Sequence, residues 1–176
     1  MKKSLLTILT LGLVLMPTMG VFGQITATDD ADATVVVNAP ITISAPTTID
    51  FGIVTLGATV SLPADGGATT GIAGTSALGT ATVGGTSGAS FTVTYNNPTL
   101  SDGTNTFSVT ADVNGHTAND ATLSSDITSG GTVALNGSGA YYLFLGGDFT
   151  APGANAGTYN TTNASGVPIT ITVDYL

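Results

Sequence analysis

The chain has 176 residues, of which 11 are acidic and only 2 basic, with no Cys and no Trp. Every acidic residue is Asp, and the two basic ones are Lys2 and Lys3. Everything after Lys3 therefore lacks the cations needed to neutralise phosphates or hold an anionic bilayer, and lacks thiols for disulfides or nucleophilic catalysis.

The chain starts with Lys2 and Lys3, followed by an apolar run from Leu5 to Met16, then Pro17 and small residues. This order is that of a secretory signal. The run falls short of the ~20 residues of a spanning helix, so no membrane insertion is expected. Val21 and Gly23 suit a cleavage site. The expected division is a signal peptide over 1–23, an N-terminal arm over 24–39 and one β-sandwich domain over 40–176. The expected destination is the cell surface or the medium.

From Ala31 the odd positions are apolar: Ala31, Ala33, Val35, Val37, Ala39, Ile41 and Ile43. Most even positions are polar, which is the period of a half-buried strand. The alternation outruns the roughly 17–20 Å of an ordinary strand. Pro40 interrupts it, and Pro donates no ladder hydrogen bond. Two readings stay open. The segment is an ordinary first strand with a polar leader, or it splits at Pro40. In the second case Ile41–Ser44 opens the chain's own sheet, and Ala31, Ala33, Val35, Val37 and Ala39 form a donor strand that completes a neighbouring subunit.

The stretch from Ala64 to Gly88 is rich in Gly, Ala, Thr and Ser, and reads as flexible chain or short edge strands. Phe91–Tyr95 alternates apolar and polar residues, as does Phe107–Val113. Asp102-Gly103-Thr104-Asn105 reads as a turn. Asn114-Gly115 and Asn136-Gly137 read as tight hairpin turns, which puts Asp112–His116 in a turn. Tyr141–Leu145 is apolar on both faces, as a central strand is. The last strand alternates Val167, Ile169, Ile171, Val173 and Tyr175 with polar residues. Many short strands between turn signals predict an all-β fold, a single immunoglobulin-like β-sandwich.

The catalytic inventory is thin, and no enzyme is expected. His116 is the sole candidate base and has no His or Cys partner. Neither Asp29, Asp30 and Asp32 nor the 102–105 turn has the spacing of a calcium loop. No metal and no cofactor is expected.

The arm, Ile49-Asp50-Phe51-Gly52, Ala156-Gly157-Thr158-Tyr159 and the alternating C-terminal strand together resemble domain-of-unknown-function family 4402. Its relatives look like spore coat protein U and the major subunits of chaperone–usher fimbriae of the common-pilus type. The resemblance implies a sandwich lacking one strand, filled first by a periplasmic chaperone and then by a neighbour's arm. It implies a structural subunit of an extracellular fibre, a head-to-tail homopolymer with a chaperone and an outer-membrane usher as partners. Val167, Ile169, Ile171, Val173 and the penultimate Tyr175 would then face the groove and the chaperone. These families often carry a glycine about fourteen residues from the end, where this chain has Thr162-Asn163-Ala164. The alternative is a monomeric secreted β-sandwich acting as a matrix, coat or adhesin module.

Overall fold

The computed structural model describes residues 34–176. The signal segment, Ala31 and Ala33 lie outside the described residues. One compact unit spans Val37–Leu176. Of the residues before it, 34–36 are described, and all three are exposed.

Among the described residues the secondary structure is almost all β. The strands are β1 (Thr42–Ile43), β2 (Ile53–Val54), β3 (Thr59–Leu62), β4 (Ile72–Ala73), β5 (Gly79–Gly84), β6 (Ser90–Tyr95) and β7 (Thr99–Ser101). They continue with β8 (Thr106–Ser108), β9 (Thr110–His116), β10 (Ser125–Asp126), β11 (Gly131–Ala134), β12 (Ala140–Thr150) and β13 (Ile171–Tyr175). A single 3-10 turn, Ala121–Leu123, precedes β10, with the Asp120 carboxylate accepting from Thr122 N–H as its cap.

Two sheets face each other. The larger runs β1-β5-β12-β9-β10, with β3 also paired to β12, and the smaller runs β11-β6-β13. All pairings are antiparallel. The hydrophobic core lies between them: Ala81, Val83, Tyr141 and Leu143 from the larger sheet meet Phe91, Val93 and Leu135, with Ile127 closing one side. Phe91 and Tyr141 pack edge to face with centroids 5.6 Å apart, a preferred aromatic geometry. The chain is thus an all-β sandwich.

β12 is the spine of the larger sheet. Its first half pairs with β5 and its end with β3 on the same side, while β9 lies along the other. The handover falls at Gly146, where a Cβ would run into the Leu62 carbonyl. Only glycine lets β3 approach there.

Several sequence expectations need correcting. Asn114-Gly115 is no turn. It lies inside β9, where Gly115 leaves room for the Tyr141 ring and Ile127. Asp112–His116 is accordingly strand. Phe107–Val113 is split between β8 and β9, with Val109 fully buried at the break. Asn136-Gly137 does turn the chain, but it joins two sheets rather than closing a hairpin. Within Ala64–Gly88, β5 is an interior strand between β1 and β12. Its small residues allow tight packing there, so this part is neither flexible chain nor an edge strand. The last strand is shorter than its alternation, beginning at Ile171, because Pro168 breaks the ladder and Val167 makes only an isolated bridge to Thr99.

Candidate functional site

The features that stand out chemically lie along one side of the sandwich. Among the described residues, β13 pairs with β6 on one side only. Leu176 N–H donates to the Ser90 carbonyl, and Thr170 N–H to Asn96 Oδ1 at 2.6 Å. Even-numbered residues of this segment therefore turn their backbone groups toward β6. By the alternation of an antiparallel ladder, the N–H and C=O groups of Ile171, Val173 and Tyr175 point out of the sheet. They form an open row of donors and acceptors, the kind of edge that soluble proteins usually blunt.

The same residues turn their side chains inward without being covered. Ile171, Val173 and Tyr175 are half-buried and pack against the core, as do Ile41 and Ile43 on and just before β1, the edge strand of the opposing sheet. The gap between these two edges carries on past β1 and ahead of β13. There a cavity of about 380 Å³ is lined by Ile49, Phe51, Pro98, Leu100, Tyr159 and Ile169. Half-buried apolar residues thus run from Ile169 to Tyr175 on one flank and from Ile41 to Ile49 on the other, a candidate groove of which Ile49 and Ile169 line the cavity.

At the Tyr175 end the two flanks are tied together. Thr86 N–H donates to Tyr175 Oη at 2.7 Å, Tyr175 Oη donates to the Ala39 carbonyl at 2.9 Å, and Ala39 N–H donates to Thr86 Oγ1 at 2.7 Å. Three bonds join the C-terminal strand, the bend after β5 and the residue before Pro40. Gly85 makes this possible, because a Cβ there would strike the Tyr175 hydroxyl.

The sequence-predicted arm residues divide at this clamp. Ala39 belongs to the compact unit and is held by it through both backbone groups. Val35 and Val37 are 83% and 84% exposed, and the first strand starts only at Thr42. In the described part of the long alternation, no strand lies before Pro40. Among the C-terminal residues, Ile169 lines the cavity, Ile171, Val173 and Tyr175 pack half-buried against the core, and Val167 is 45% exposed.

The two inner motifs of the resemblance converge beside the groove. Phe51 packs edge to face on Phe149 at 5.0 Å, and Phe107 contacts both Phe149 and Tyr159 at 5.1 Å. These rings border a second cavity of about 220 Å³. Phe107 and Phe149 escaped sequence reasoning because both sit on strands whose alternation explains them as ordinary packing.

Nearby, Asp102 accepts from Asn105 Nδ2 and from the N–H groups of Asn105 and Thr104. These donors hold its carboxyl well below the usual carboxylate range. His116 Nδ1 accepts from Ala118 N–H, an ordinary bend contact. No family model, curated protein or solved structure matches the chain.

Proposed function

We propose that the protein is a structural subunit of an extracellular fibre, in which the groove accepts the N-terminal arm of a neighbouring copy. The observation that carries the reading is the pairing of supply and demand within one chain. An unpaired sheet edge stands over half-covered core residues, and the chain also holds an alternating apolar segment whose described valines are exposed. Strand addition satisfies both at once: main-chain bonds to Ile171, Val173 and Tyr175, and apolar side chains over the core. A head-to-tail joint of this kind propagates as an open filament.

On this reading Ala31, Ala33, Val35 and Val37 fill the neighbour's groove, and Ala39 is the root that anchors the arm to its own subunit. Before assembly the same edge needs a temporary cover, the part of a periplasmic chaperone, with an usher at the outer membrane. Export would follow from the Lys2–Met16 signal.

The experiment is complementation. A chain lacking residues 24–37 is titrated with a synthetic peptide spanning Asp30–Ala39, and its thermal unfolding is recorded. Binding to the folded state alone stabilises by about 2.7 kcal/mol at a hundredfold excess over Kd. A saturable rise in Tm, absent with a peptide carrying Asp at positions 35 and 37, supports the reading. A truncated chain that is indifferent to both peptides, and monomeric full-length material, would refute it in favour of a self-sufficient matrix or adhesin module.

A further inference from the structure

The outer face of the larger sheet carries a polar cluster that the fibre reading does not use. Asp112 and Asn114 are two residues apart on β9, so their side chains share a face. Asp126 on β10 lies directly opposite Asn114, which puts it on that face too. Asp148 on β12 has the same parity, and the Pro63–Gly67 loop passes over the cluster, with Ala64 N–H donating to Asp112 Oδ2 at 2.7 Å. Asp112 is half-buried, while Asp126, Asp148 and Asp65 are exposed at its rim.

Asn114 is the anomaly. It is 7% exposed, and its Oδ1 is buried with no hydrogen-bond partner among the described residues. Buried side-chain oxygens are almost always satisfied, and leaving one unmade costs more than the bond is worth. The residues beside Asn114 on this face are Asp112 and His116 along the strand, Asp126 on one flank and Phe144 on the other. Ionised carboxylates have no proton to donate to it. With Asp112 and Asp126 beside Asn114, a cation is a partner that would satisfy the oxygen and the carboxylates together. No Lys or Arg follows Lys3, and among the described residues no donor, His116 included, reaches the oxygen.

We infer that Asn114 Oδ1 and the carboxylates of Asp112 and Asp126 form a binding site for a hard divalent cation, with calcium the best match. Calcium takes six to eight oxygens in flexible geometry, amide carbonyls and waters among them. No three Asp or His side chains converge among the described residues. The protein thus gives two carboxylates and one amide oxygen, and water gives the rest. Such a ligand set belongs to the weak class typical of extracellular modules, with Kd about 10⁻⁴–10⁻³ M. The sequence did not disclose the site because Asp126 reaches it through strand pairing, not through a loop of fixed spacing.

The test is thermal unfolding of the mature chain in a CaCl₂ series, against NaCl at matched ionic strength, alongside Asp126→Asn and Asn114→Val. Asp126 is exposed, so its variant reports binding rather than folding. The expected result is a saturable calcium-specific rise in Tm with a midpoint in the stated range, weakened at least tenfold in D126N and absent in N114V. A rise no larger than that of matched NaCl overturns the inference. So does an equal calcium effect in both variants, which would place the ion on other aspartates. Because neither Asp126 nor Asn114 lines the groove, failure here leaves the fibre reading intact.

Discussion

Replacing Val35 and Val37 together by Asp separates a donor arm from an ordinary first strand. The two side chains are 83% and 84% exposed, so the folded subunit gains almost nothing from them. Surface changes of this kind fall within about 0.5 kcal/mol, or roughly 2 °C in Tm for a domain this size. In an accepting groove the arithmetic is different. Each valine gives up about 1.5 kcal/mol of burial, and two unpaired carboxylates over an apolar core add several more. The joint should weaken by about 6 kcal/mol or more, close to four powers of ten in affinity. Sedimentation and negative-stain microscopy of the secreted double variant should show folded monomers where the parent gives filaments. A double variant that still polymerises, or one whose monomer Tm collapses, would refute the argument. The first outcome would mean that the valines are not in the joint, the second that they belong to the subunit's own core.

Three further outcomes follow from the geometry. Tyr175→Phe leaves Thr86 N–H and the Ala39 carbonyl without their partner, so Tm should fall by about 3–8 °C, equivalent to 1–2 kcal/mol. Gly85→Ala should displace the same hydroxyl at a cost of about 1–3 kcal/mol. The two losses should be less than additive in the double variant, since both break one clamp. Two carboxyls set opposite pH slopes. Burial, reinforced by the charges of Asp126, Asp148 and Asp65 and opposed by Ala64 N–H, raises the Asp112 pKa. Its stabilising contribution is complete below its unfolded value and disappears as pH rises through the folded one. Asp102, lowered by Asn105 and Thr104, contributes above its unfolded value and loses that contribution as pH falls through the folded one. In calcium-free buffer, Asp112→Asn should flatten the fall in Tm as pH rises above the unfolded Asp value, and Asp102→Asn the fall as pH drops below it. Finally, trypsin should leave the chain beyond Lys3 uncut even in urea, as intact mass will show, because no Lys or Arg follows it.

The sandwich was legible wherever one face of a strand is dry and the other wet, as at Phe91–Tyr95 and Ile171–Tyr175. The central strand was legible from the unbroken apolar run at Tyr141–Leu145. What misled was glycine. Asn114-Gly115 carries turn chemistry in isolation, but the Tyr141 ring needs the space that Gly115 leaves, and packing overrides the local preference. β5 was hidden for a similar reason, since its Gly and Ala residues are small enough for an interior position yet individually poor strand formers. The groove was only half visible. Alternation marked its C-terminal flank, but nothing in a sequence tells a covered edge from an open one. The Tyr175–Thr86–Ala39 clamp joins positions far apart in the chain, and only the folded backbone reveals it.

The clamp also sets a path for mechanical load. Tension applied at Ala39 does not pass first into β1, which holds β5 over two residues only. It divides at once between Pro40 and the hydrogen bonds at Ala39, one branch entering the bend after β5 and the other the far end of β13. Pulling on the arm root therefore loads the end of β13 and the interior of the larger sheet together. Unravelling from the N-terminus has to break the bonds from Ala39 to Thr86 and to Tyr175 before β1 can peel, so the first yielding event is shared between the bend after β5 and the end of β13.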